Sequence, residues 1–218
     1  GDGLGVPYEL AKREDLQKDP VTDMVGHLAH DKPPGTWSDD GSMTFCTAES
    51  LLDGFDIERM GKSYLAWFDE GHWSADGKAF GSGGTTRAAL KKLREGHPAE
   101  GAGRIDPESN GNGSLMRILP LAFYLDRIKP SDSQMIRTIS QVSSITHGHE
   151  RAKCACYYYV KFAMHLLQGY NKQQVYDIVK SQFPSISHEL ECVFQRLINH
   201  NIADLPSSEI QSDSYVVH

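Results

Sequence analysis

Positive charge is scarce in this 218-residue chain: 22 Lys and Arg stand against 29 Asp and Glu, a formal net charge of -7. No block of Lys or Arg reverses that balance locally, so nucleic acid is not expected as the main partner. Cysteine is scarce too. Cys46, Cys154, Cys156 and Cys192 all fall in apolar, helical-looking stretches. That usage argues against a disulfide framework and fits reduced, buried thiols. There is no run of eighteen apolar residues and no charged start followed by an apolar core, so neither a membrane span nor a signal peptide is expected. The expectation is a cytoplasmic protein with no membrane partner. Strand-type alternation between hairpin turns is also missing.

What is present is helical periodicity. Met43, Cys46, Ser50 and Leu51 repeat at three and four, with Phe45, Ala48 and Leu52 on a second face, a pattern that predicts a central helix. Ile57, Met60, Tyr64, Trp67 and Phe68 form an amphipathic stripe after Asp56, a candidate N-cap. Thr85–Leu93 reads as a short helix. Ser114 is placed to cap the next, through Leu115, Ile118, Leu119 and Phe123, with Pro120 as a kink. Met135, Ile136, Ile139, Val142 and Ile145 make a further stripe; Ala152–Leu167 is apolar on two faces and ends at Gly169. Val175, Ile178, Val179 and Phe183, then Leu190, Val193, Phe194, Leu197 and Ile198, give the last two. The class is all-α, in one compact domain over residues 1–218. Two Gly-rich irregular segments, 72–84 and 97–113, interrupt it, and long loops on a helical scaffold are where function concentrates.

Five stretches carry candidate chemistry. In "GDGLGVPYEL", residues 1–10, Glu9 is either an exposed residue at a helix end or a carboxylate held beside a ligand. In "TWSDDGSMT", residues 36–44, two adjacent acids follow a serine just ahead of a helix. Capping explains such a group, since Ser and Asp favour helix starts. So does a hard cation such as Mg²⁺ held by Ser38, Asp39 and Asp40. "GSGGTT" at 81–86 is a loop whose free N–H groups could bind an anion, or a turn capped by Thr85 or Thr86; no Gly-Lys-Ser/Thr follows, so it is not a Walker loop. "SNGNGSLMR" at 109–117 builds a sharp turn from Asn110, Gly111, Asn112 and Gly113, with Ser109 as a further donor. Another stretch, "SSITHGHERAKCAC" at 143–156, offers His147, His149, Cys154 and Cys156. Two cysteines two apart on a helix point to different faces, so Thr146 and His147 as ligand donors are preferred to a zinc site.

Together and in this order on a helical scaffold, "GDGLGVPYEL", "PPGTWSDDGSMT", "GSGGTT", "SNGNGSLMRILPLA" and "SITHGH" resemble the ADP-ribosylglycohydrolase family. The resemblance implies a compact all-α fold and a pair of Mg²⁺ ions (Mn²⁺ in some members) at the base of an ADP-ribose cleft. It implies Ser38, Asp39 and Asp40 as metal ligands, Glu9 at the reacting ribose, and Glu9, Asp39 and Asp40 as the catalytic set. Gly83, Gly84 and Thr85, with Ser109, Asn110, Gly111, Asn112 and Gly113, would hold diphosphate and ribose, with His147 nearby. The activity implied is hydrolysis of the glycosidic bond between ADP-ribose and a modified side chain, the partner being ADP-ribose or an ADP-ribosylated protein.

The family's second metal-binding stretch, an Asp-x-Asp, has no counterpart after Asp40. A domain lacking its first helix and its C-terminal segment is therefore expected, although "SYVVH" near residue 218 reads as the start of a buried segment. A catalytically silent ADP-ribose-binding module is the alternative; a helical scaffold with ordinary caps ranks third.

Overall fold

Local chemistry sets the helix starts and stops. The computed structural model describes residues 1–181, 193–197, 202–211 and 213–217, and among these it is all-α, with two isolated bridges and no strand. The helices are α1 (Asp2–Gly5), α2 (Arg13–Lys18), α3 (Asp39–Ser50), α4 (Ile57–Glu70), α5 (Gly84–Arg94), α6 (Leu119–Ile128), α7 (Asp132–Ser144), α8 (Glu150–Leu167) and α9 (Lys172–Ser181). Residues 193–197 are also helical. No helix among the described residues is long and apolar enough to cross a membrane.

Asp56 caps α4, accepting from the Arg59 N–H at 3.0 Å, and Gly71 closes it in the left-handed region. Ser131 and Gln134 form a reciprocal capping box on α7. The Ser114 start is corrected: α6 begins at Leu119, because Pro120 fits the first turn, where its missing N–H costs nothing. Ser114 belongs to a tight turn instead, its hydroxyl against Cys156 Sγ and Ser143 Oγ.

The core is built on α8, which packs against α6, α7 and α9, while α3 lies against α4 and α6. Trp67, Tyr64, Met43, Met60, Ile118, Leu121, Leu125 and Ile139 are wholly buried, each large apolar side chain contributing roughly 1.5–3 kcal/mol. Helix α3 sits centrally, and of the two faces read on it the first is inward as expected. Met43, Cys46, Ser50 and Leu51 are buried, with Thr47 beside them, whereas Phe45 and Leu52 of the second are exposed. Its inner face can be polar because Ser42, Thr47 and Ser50 each donate to the carbonyl four residues earlier, at 2.7–2.9 Å. Phe45 packs outward against the rings of Trp37 and Trp73. Ile136 and Phe123 also face solvent rather than the core.

Cys46, Cys154 and Cys156 are buried free thiols. Burial pushes Cys154 up to about 12 and Cys46 up to about 11, so both stay protonated. Cys192, Phe183, Leu190 and Ile198 lie outside the described residues.

Candidate active site

The stretches singled out in the sequence converge on one cleft of about 1320 Å³, larger than the roughly 300–1,000 Å³ usual for small-molecule pockets. Glu9, Asp39, Asp40, Gly83, Gly84, Thr85, Asn110, Gly111, Asn112, Gly113 and His147 all line it. Ser38 and Ser109 do not. Both are buried behind the wall, Ser109 donating to Asp106 at 2.8 Å.

The Asp pair opens α3. Ser38 is its N-cap, accepting from the Asp40 N–H at 3.3 Å, so the capping reading of this stretch holds. Capping does not account for the electrostatics. Asp39 is buried, and its carboxyl is pushed up to about 7, first by burial and then by Asp40, with Glu9 and Asp2 adding to the rise and its own backbone hydrogen bond opposing it. Asp40 is raised by burial and then by Asp2. The charged neighbours acting on the pair are all acids. This oxygen-rich, charge-repelled corner is chemically suited to a hard cation. Among the described residues, however, no three His, Cys, Asp or Glu side chains converge to enclose one. Gly81 completes the wall of this corner. With φ +88 it takes a conformation that L side chains avoid, and a Cβ there would come within 2.3 Å of Asp39 Oδ1.

Asp2 is the residue sequence reasoning missed. Its carboxylate accepts from the Ser38 N–H (3.0 Å), the Ser38 hydroxyl (2.9 Å) and the Gly41 N–H (2.7 Å). It therefore caps α3 from 36 residues away and ties the Glu9 segment to the Asp pair. Asp2→Ala removes all three bonds and is expected to cost about 2–3 kcal/mol. The loss is partly offset by relief of repulsion with Asp39 and Asp40. An unchanged urea midpoint would show that this cross-cap holds nothing.

Glu9 follows the Val6–Tyr8 turn at the rim, with its carboxylate 2.5 Å from His30 Nε2. Helix α5 has Gly83 at its N-cap position and no side-chain cap, so neither Thr85 nor Thr86 caps it; the first-turn residues Gly84, Thr85 and Thr86 line the cleft. The Asn-Gly turn is stapled by residues near the C-terminal end. The Asn112 N–H donates to Ser214 O at 2.8 Å, and the Val216 N–H to Asn110 O at 3.0 Å. Asp213, Ser214 and Tyr215 thereby join the lining, as do Tyr8, Arg13 and Thr86. Val216 is buried against Phe194, Cys154 and Ala155, as expected of a buried terminal segment. The zinc reading of the 143–156 stretch stays set aside, since His149 caps α8, accepting from the Arg151 N–H, and Cys156 is buried against Ser114.

Two groups give opposite pH dependences in the metal-free chain. Between about pH 4 and 7 the native Asp39 keeps a proton that the unfolded chain has released, so its contribution to stability falls as pH rises. His147 is held down at about 4, first by burial and then by Arg117, so its contribution is lost as pH falls from about 6.5 to 4. Asp39→Asn in EDTA is expected to remove the alkaline-side loss, a gain on the order of 2–4 kcal/mol at pH 8. Urea unfolding at pH 5 and 8 measures it, and an unaltered slope would contradict the assignment.

An all-helical scaffold with a buried Asp, two further acids and helix-start amides in one cleft is the class that the geometry defines. The chain belongs to the ADP-ribosylglycohydrolase family, whose model matches residues 1–218. It is 30% identical over 178 residues to the ADP-ribosylarginine hydrolase Tri1 of Serratia proteamaculans (strain 568), covering 81% of this chain and 47% of that protein. Against the ADP-ribosylarginine hydrolase Tri1 of Pseudomonas putida (strain GB-1) the identity is 33% over 159 residues, covering 72% and 41%. The chain thus spans about half the length of the curated relatives it matches. A solved ADP-ribosylglycohydrolase-related protein complex superimposes with a TM-score of 0.77 at 26% identity, covering all of this chain and 67% of the other.

Proposed function

We propose that this chain provides the ADP-ribose cleft of a Mg²⁺-dependent hydrolase that releases ADP-ribose from modified arginine side chains of proteins. The observation that carries the reading is the meeting, in one cleft, of Glu9 and the Asp39–Asp40 pair with two amide-rich turns. The names of the two bacterial relatives support arginine as the acceptor. Asp39 and Asp40, with Ser38 at their base, would supply part of the oxygen donor set for Mg²⁺ or Mn²⁺. When bound, the ion supplies charge compensation and Lewis acidity.

The chain's own residues account for the rest. The amides at Gly84–Thr86 and those of the Asn110–Gly113 turn other than Asn112 receive the diphosphate and ribose oxygens, offsetting the acidic surroundings with local dipoles. The Asn112 N–H is taken by Ser214 O. Breaking the C1″–N bond builds positive charge on the ribose, which the Glu9 carboxylate can stabilise at close range. Water adds its oxygen to C1″; Glu9 takes the water proton and passes it towards the departing guanidine nitrogen. His30, already paired to Glu9, orients that carboxylate.

The test is incubation of the chain and Mg²⁺ with an ADP-ribosylated arginine peptide, following free ADP-ribose by chromatography. Release supports the reading. Tight ADP-ribose binding without release from arginine, serine or nucleic-acid-end linkages would favour the silent binding module.

A further inference from the structure

Arg117 plays no part in the scheme above, yet it is wholly buried, and no carboxylate is among its hydrogen-bond partners. A buried cation must be compensated or it unfolds its surroundings. Here the compensation is neutral. Nε donates to Gly113 O at 3.1 Å, one terminal nitrogen to Tyr64 Oη at 2.5 Å, and the other to Val142 O at 3.3 Å and Thr146 Oγ1 at 2.8 Å. The guanidinium also lies 4.3 Å from the centroid of the Tyr64 ring.

The Thr146 hydroxyl has one hydrogen to give, and its oxygen already accepts from Arg117. Thr146 is wholly buried, and its other polar contact is His147 Nδ1, 2.8 Å away. The hydrogen therefore goes to Nδ1. An imidazole nitrogen that accepts carries no hydrogen, so the ring's hydrogen sits on Nε2. That edge meets the glycine turn of the cleft. A Cβ built on Gly111 would lie 3.8 Å from Nε2, and one on Gly113 would lie 2.8 Å from Cε1. The same guanidinium, second to burial, disfavours a second proton on the ring.

We propose that Arg117 is a positioning residue: through the Thr146 hydroxyl it fixes His147 as a neutral ring presenting Nε2–H to the cleft, a donor for a phosphate or ribose oxygen of the ligand. The last clause rests on the ADP-ribose reading; the tautomer does not. The arrangement has a consequence for selectivity. Diphosphate oxygens only accept, so an Nε2–H edge pairs with them, whereas the other tautomer would turn a lone pair towards them and repel them.

Replacing Arg117 would strand Tyr64, Thr146 and two carbonyls in the core, so the test falls on Thr146. Long-range ¹H–¹⁵N spectra of the ligand-free, histidine-labelled chain at pH 7 report the tautomer, with the His147 signals assigned by their loss in His147→Gln. The expected result is a single Nε2–H tautomer, mixed with Nδ1–H in Thr146→Val and restored in Thr146→Ser. ADP-ribose should shift the Nε2 signal, and its affinity should fall about tenfold in the Val variant and recover in the Ser variant. An Nδ1–H ring or an imidazolium in the parent chain, or an unaltered tautomer in Thr146→Val, would overturn the relay. A tautomer that behaves as expected, with an Nε2 signal and affinity indifferent to ADP-ribose and Thr146, upholds the lock and overturns its use by this ligand.

Discussion

Asp39→Ala is expected to lower turnover by at least about 10³-fold, because it removes one of the two carboxylates that, on the proposed function, would hold the cation. ADP-ribose affinity should fall far less, by about tenfold, since Gly84–Thr86 and the Asn110–Gly113 turn keep their amides. The loss cannot be ascribed to unfolding. Asp39 is buried with Asp40, Glu9 and Asp2 all acting to raise its pKa, so its removal relieves strain, and the variant should resist urea better than the parent at pH 8 in EDTA. Turnover within tenfold of the parent chain would show that the chemistry does not pass through this corner.

Glu9→Gln carries the second large effect. The amide oxygen can still accept from His30, which lies 2.5 Å from the carboxylate, so the rim keeps its shape while losing a charge and a proton acceptor. Turnover should fall by roughly 10²–10³-fold, the scale of general-base catalysis, with ADP-ribose affinity changed by less than about threefold. Single-turnover kinetics beside equilibrium titration separate the two. Equal losses in both would reduce Glu9 to a substrate clamp.

The two predictions concern residues that were legible in the sequence, and the reason is local. Adjacent acids after a serine, glycines before a helix and an Asn-Gly turn are signals contained within a few residues. Helix periods were equally local: α4, α8 and the Gly169 stop lie where apolar spacing and turn residues put them, and α5 where apolar spacing alone does. What escaped was tertiary. Asp2 acts on Ser38 and Gly41 across 36 residues or more, so nothing in "GDGLG" announces a helix cap. Tyr215 reaches the cleft by bridging to Gly111, a pairing that no single-stretch pattern encodes. The inward face of α3 was legible, but the exposure of its second face was not: Ser and Thr hydroxyls bond to their own helix, letting Ser42 and Thr47 take core positions while Phe45 turns to solvent. Ser114 and Pro120 were misjudged because the proline suits a helix start as well as a kink. Arg117, buried without an acid partner, gives no signal beyond its place in "SLMRILP".

The central claim is that Asp39 and Asp40 hold a cation on which ADP-ribose recognition depends. Isothermal titration of ADP-ribose into this 218-residue chain, first with Mg²⁺ and then with EDTA, tests it most directly. The account predicts binding in Mg²⁺ that weakens about tenfold or more in EDTA, more than about 1.4 kcal/mol. Binding of the same strength in EDTA would contradict it, leaving the amide turns and His147 as the whole of the site.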